Sequence, residues 1–177
     1  MVTKVVQESD GSGLLGYATL AQSSDTTSNG IVVAYSVWGP PGTCASSSRN
    51  AEGATATHEV GHYLGLLHTF ADGGAGNLYH SSCGAASAPH CHQTGDLLCD
   101  TPPEAAAIFD CVSRGTCSAR DPVENFMDYS DDFCLTTFTD EQARRCVNER
   151  SSNAWLPYLA PMRDSTSNTR PQHRTQS

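Results

Sequence analysis

The chain has 177 residues, 38% of them hydrophobic and 16% charged, and no apolar run approaches the roughly 18 residues that a membrane span requires. Its formal net charge of −9 is uneven, because residues 91–141 carry 11 acidic groups against 2 basic while residues 142–177 carry 2 against 6. Clustered Lys and Arg of the kind that grip phosphates are missing, which excludes nucleic-acid binding as the main activity and points the acidic middle toward cations or basic substrates.

The opening MVTKVVQESDGSG lacks the long apolar stretch of a secretory leader, so the chain is expected to be either a trimmed piece of a longer precursor or one whose start is misassigned. Residues 14–20 (LLGYATL) and 31–37 (IVVAYSV) are short β-branched and aromatic runs bounded by Gly, Ser, Asn and Pro, which predicts two strands of a small sheet. After a Gly, Pro, Ser and Cys-rich loop, ATATHEVGHYLGLLH predicts a helix, with Thr or Ser available as its cap. Residues 71–103 show little periodicity and read as an irregular segment. TDEQARRCVNER then predicts a second helix, with a cap at Thr139 and an acidic first turn. Residues 163–177 have almost no apolar content and are expected to be a disordered tail, leaving 1–162 as one domain.

Eight cysteines, an even number, fit a framework of four disulfides made in an oxidising compartment, and therefore a secreted protein. No CxxC knuckle for structural zinc is present. The HCH stretch at His90, Cys91 and His92, with His80 nearby, is read as disulfide-linked loop rather than a second metal site.

The chemistry is concentrated in HEVGHYLGLLH, residues 58–68. On a helix, positions i and i+4 differ by about 40° and about 6 Å, so His58 and His62 point from one face at a common ion. His68 would lie about 240° further round and about 9 Å further along if the helix continued, so the helix must stop first. Gly65 is the residue able to turn the chain back and let His68 join as a third ligand. Three neutral imidazoles leave a fourth tetrahedral position on zinc open for water. Glu59, beside a ligand but not needed as one, is placed to take a proton from that water and return it to a leaving amine, which is peptide hydrolysis.

With NFMDYS at residues 125–130, the sequence resembles the metzincin zinc proteases, in which the long histidine motif is followed by a turn carrying a methionine beneath the metal. The resemblance gives Met127 that place and makes Tyr129 a residue near zinc that helps stabilise the transition state. TGDLLCDTPPE (94–104), NFMDYSDDFC and FTDEQ narrow the likeness to the pappalysin branch. That branch implies an α+β zincin, with a small twisted sheet and active-site helix (about 1–68) above an irregular disulfide-rich lower half with a C-terminal helix (about 69–162). It implies calcium near Asp96, Asp100 and Thr101, pairing of Cys111 with Cys134, and pairing of Cys83 or Cys91 with Cys117. It also implies cleavage before Arg or Lys, with Asp132 at the floor of the pocket just past the scissile bond. Against the usual upper half of such enzymes, the first strand of the sheet and the backing helix before the zinc helix are expected to be missing. Two readings follow: a secreted zinc endopeptidase acting on protein or peptide substrates, and a non-catalytic zinc-binding fragment serving as a binding or regulatory module. Oligomeric state is not specified by the sequence.

Overall fold

A computed structural model describes residues 2–6, 14–19, 30–39, 49–73, 81, 83, 90–117 and 119–152. Three strands form one sheet in the order β1-β3-β2, with β1 at Val2–Val6, β2 at Gly16–Ala18 and β3 at Gly30–Ala34. β1 runs parallel to β3 with Val2 opposite Gly30, and β2 runs antiparallel to it with Tyr17 opposite Val32. The sheet therefore has one more strand than the sequence patterns predicted. β3 is also shorter than predicted: the chain leaves the sheet after Ala34 and makes a 3-10 turn at Tyr35–Val37. As the central strand, β3 is covered on its core side, where Ile31, Val33, Ala34 and Val37 are buried against Leu15, Ala18, Ala56, Val60 and Tyr63. Those last three belong to helix α1, Ala54–Tyr63, which lies across the sheet.

The start of α1 departs from expectation. Its cap is Gly53, in the left-handed region at φ 86°, and no Ser or Thr side chain closes it. Instead the Asp132 carboxylate, 78 positions on, accepts the Ala54 N–H at 3.1 Å and the Glu52 N–H at 2.9 Å. A carboxylate here also suits the positive end of the helix dipole. The other end behaves as the glycine spacing requires. Gly65 has φ 88°, its N–H reaches the His62 carbonyl at 2.9 Å, and the Leu66 N–H reaches back to the Gly61 carbonyl at 3.0 Å. This paired closure is the Schellman arrangement, and it reverses the chain immediately after the second histidine.

Beyond that turn, the described residues contain the 3-10 turn His90–His92 and helix α2, Asp140–Ser152. α2 opens with a reciprocal capping box, in which Thr139 Oγ1 accepts the Gln142 N–H at 3.2 Å and Gln142 Oε1 accepts the Thr139 N–H at 2.8 Å. Asp100 and Glu141 add a second tie, the Glu141 N–H donating to Asp100 Oδ2 and the Cys99 N–H to Glu141 Oε2. Disulfides join Cys83 to Cys117, Cys91 to Cys99, and Cys111 to Cys134. Three bridges thus lie among the described residues where four were expected in all. Cys44, His80 and the 163–177 tail lie outside them.

Candidate metal centre

α1 and the turn after it bring His58, His62 and His68 together, with their ligand nitrogens within 4.8 Å of one another. Two of the rings are oriented by backbone carbonyls. His58 Nδ1 donates to the Phe126 carbonyl at 2.7 Å and His62 Nδ1 to the Leu66 carbonyl at 2.8 Å. A carbonyl can only accept, so each Nδ1 carries the proton and each Nε2 keeps its lone pair for a metal. His62 Nε2 and His68 Nε2 face each other at 2.9 Å. Burial, then the neighbouring His62 and His68, holds His58 well below its usual pKa, and burial lowers His62 as well. Neutral rings with converging lone pairs fit the needs of zinc.

Glu59 is 5% exposed, and its Oε2 has no hydrogen-bond partner among the described residues. Desolvation raises its pKa to about 7. β2 crosses so close that a Cβ on Gly16 would stand 2.9 Å from Glu59 Oε1 and 2.9 Å from the Val32 carbonyl oxygen, so only glycine leaves the carboxylate its room.

Met127 is fully buried with Leu66 and Leu98 beneath α1. Its thioether fills the gap at Gly61, where a Cβ would come within 2.4 Å of Sδ. The Met127 carbonyl accepts the Thr69 N–H at 3.2 Å, which ties the segment after His68 to the turn. Tyr129 stands with its ring centroid 4.8 Å from that of His68 and 5.5 Å from that of His58. Phe70 is a platform for both, stacked on His68 at 4.6 Å and edge-on to Tyr129 at 4.9 Å.

The turn itself is held from α2. Asn125 and Gln142, both buried, exchange side-chain amide hydrogen bonds of 2.9 and 3.1 Å, and Asn125 Oδ1 also accepts the Met127 N–H. Gly16, Gly61, Phe70, Asn125 and Gln142 were not singled out from the sequence. Of these, Gly61, a glycine inside a helical motif, and Gln142, three residues after the Thr139 cap, gave local signals.

His58 and Glu59 form one wall of a cleft of about 290 Å³, bounded above by Leu14–Gly16 and below by Phe109 and residues 128–132. Asp132 lines it but is 4% exposed, and its Oδ2 is engaged by the start of α1. Asp131 lies beside it and pairs through Oδ1 with Arg49 Nε at 2.8 Å.

Elsewhere, Asp96 and Thr101 come together as predicted residues of one loop. Asp96 Oδ2 and Thr101 Oγ1 are buried without a hydrogen-bond acceptor or donor of good geometry, and burial raises Asp96 to about 7. Asp100 is placed otherwise, exposed and spent on α2. His92 Nε2 is 3.3 Å from Cys99 Sγ, but both cysteines of that cluster are in the Cys91–Cys99 bridge and are not metal ligands there.

A helix carrying two histidines and a glutamate, a glycine turn delivering a third histidine, and a buried methionine underneath define a metzincin-type zinc centre. Residues 10–150 match the peptidase family described as pregnancy-associated plasma protein-A, and the chain belongs to that family. Extracellular metalloproteases of Pyricularia oryzae and Colletotrichum graminicola are 38% and 39% identical to it, over 84% and 85% of this chain and 46% and 48% of theirs. The mature mirolysin of Tannerella forsythia, solved with a cleaved peptide, superposes with a TM-score of 0.63 at 30% identity, covering 81% of this chain and 49% of that one. The chain thus spans about half the length of the curated relatives it matches. Zinc is the family's catalytic metal, and His58, His62 and His68 are the residues that would hold it.

Proposed function

We propose that this chain carries the catalytic centre of a secreted zinc endopeptidase in which Glu59 takes the proton of the attacking water and passes it to the leaving amine. The observation that carries this reading is the convergence of the ligand nitrogens of His58, His62 and His68 beside a buried Glu59 carboxylate whose Oε2 has no hydrogen-bond partner among the described residues, at the wall of an open cleft. Zinc bound there would supply an open position for water and a Lewis acid for the scissile carbonyl. Tyr129, whose ring lies against those of His58 and His68, serves the oxyanion, and Phe70 keeps its ring and that of His68 in place. Met127 supports the floor. Secretion is supported by the extracellular relatives and the disulfides.

The reading includes cleavage before Arg or Lys, supported by Asp131 and Asp132 in the cleft wall. It also includes calcium at Asp96 and Thr101, supported by their two buried oxygens and the preference of calcium for such ligands. The test is mass-spectrometric mapping of cuts in a diverse peptide mixture by zinc-loaded protein, with and without calcium, beside its Glu59→Ala variant. We expect cuts that vanish in Glu59→Ala while zinc content stays at one ion per chain. Folded, zinc-bound wild-type protein that cuts nothing would replace this reading with that of a binding module.

A further inference from the structure

The cleft wall holds four carboxylates, Glu59, Asp128, Asp131 and Asp132, and their partners differ. Asp128 is bonded internally, to Ser130 Oγ at 2.5 Å and to the Ile108 N–H at 3.4 Å. Asp132 is fixed by backbone N–H groups at the start of α1. Among the described residues Asp131 is paired with a formal cation, Arg49, a long side chain reaching in from the loop before α1. Arg49 donates Nε to Asp131 Oδ1 and Nη2 to the Phe109 carbonyl, while its own carbonyl accepts the Asp132 N–H at 2.9 Å. Its backbone is therefore anchored at the wall, and its side chain spans from Asp131 to the Phe109 carbonyl along the lower side of the cleft.

The Arg49 side chain is 59% exposed, whereas that of Asp131 is 15% exposed. An exposed ion pair is weak and readily exchanged, but the carboxylate beneath it is partly desolvated and keeps its demand for a cation. A guanidinium or ammonium entering this cleft on a substrate would meet an acid already served by an internal arginine. We infer that Arg49 is a specificity-determining residue, an exchangeable internal counter-ion that competes with a basic substrate side chain for Asp131. This inference deepens the protease reading above and rests on it. Arg49 lowers the preference for basic over apolar side chains, and removing its charge raises that preference without altering the metal ligands.

The test is direct binding, which does not need turnover. Two peptides differing only in Arg or Leu at the position after the intended cut are titrated by calorimetry into zinc-loaded Glu59→Ala protein, and into the same protein carrying Arg49→Gln or Asp131→Asn in addition. We expect Arg49→Gln to raise the Arg-to-Leu affinity ratio by about 1.5-fold to fivefold, the scale of an exposed ion pair. Asp131→Asn should lower the ratio, and in the Asp131→Asn background Arg49→Gln should have no further effect on it. A ratio unchanged or lowered by Arg49→Gln overturns the inference, as does failure of either peptide to bind. Cleavage of the same peptides by protein retaining Glu59 separates the two claims. Binding that shifts as expected without any cleavage removes the protease reading alone, and cleavage with an unmoved ratio removes only the role of Arg49.

Discussion

Replacing Asp132 by alanine removes the acceptor for two backbone N–H groups at the start of the zinc-binding helix, one of them in a buried position. Loss of a helix cap costs about 1 kcal/mol, and hydrogen bonds to a charged acceptor contribute about 1.5–3 kcal/mol. Against this, burial already raises the pKa of the Asp132 carboxyl, opposed by the Glu52, Ala54 and Gly53 N–H groups, so part of the gain from deleting it is relief from desolvation. The net loss should be about 2 kcal/mol, or about 4–8 °C in Tm for a chain of this size. Asp132→Asn retains a carbonyl acceptor of the same reach and should lose less than half as much. Urea unfolding and thermal melting of zinc-loaded, disulfide-intact protein, followed by circular dichroism, measure both variants. If Ala and Asn are equally destabilising, or the Ala variant unfolds within about 1 °C of wild type, capping is not what Asp132 does, and the carboxylate would be free to act wholly as a pocket floor.

Gly61→Ala adds a methyl 2.4 Å from Met127 Sδ and 3.4 Å from Leu66 Cδ1. The helix gains about 1 kcal/mol from the better helix former, but overpacking costs about 1–3 kcal/mol, so we expect a net loss of about 1 kcal/mol together with weaker zinc retention. A more stable variant with undiminished affinity in a chelator competition would show that the methionine yields freely. Burial, then the charges of Asp128 and Asp121, raises the Glu104 pKa to about 8 from 4.5, against the pull of the Thr69 hydroxyl. Between those values the folded state binds the extra proton, so this group's contribution to stability is greatest below pH 4.5 and is lost as pH rises through 8, by at most about 1.4 kcal/mol per unit. Glu104→Gln should therefore flatten the pH dependence of urea unfolding between pH 5 and 8. Parallel curves for the two proteins would exclude Glu104 as the cause.

How much of this was legible in the sequence depends on how far apart the interacting residues lie. The histidine motif could be read because its geometry is local: four residues of helix fix His58 and His62, and Gly65 fixes the reversal that returns His68. The Thr139 to Gln142 box at the start of α2 is equally local. The start of α1 was misread because its cap comes from Asp132, and no pattern near Gly53 encodes a partner 78 residues away. The strand predicted through Val37 stops at Ala34, since Tyr35-Ser-Val has strand-forming side chains but the chain turns where the sheet's pairing ends. Gly16 reads as an ordinary break in a strand, and its purpose is visible only once Glu59 is packed beneath it.

The contacts that escaped the sequence share an organisation. Residues 125–132 touch α1 and its exit at four successive levels: Asp132 at the Ala54 N–H, the Phe126 carbonyl at His58, the Met127 thioether at Gly61, and the Met127 carbonyl at the Thr69 N–H. The same segment is clamped from behind by the Asn125 and Gln142 amides, and Cys134, joined to Cys111, follows two residues after it. Because these contacts fall on different turns, α1 cannot slide or rotate without breaking several at once. The relative placement of His58, His62 and His68 is therefore set by the methionine turn as much as by helical spacing. The three-stranded sheet has a different task, closing the upper side of the cleft at Gly16. A site held this way has its ligand nitrogens and its carboxylate fixed by the surrounding fold, which is the condition under which electrostatic stabilisation costs least.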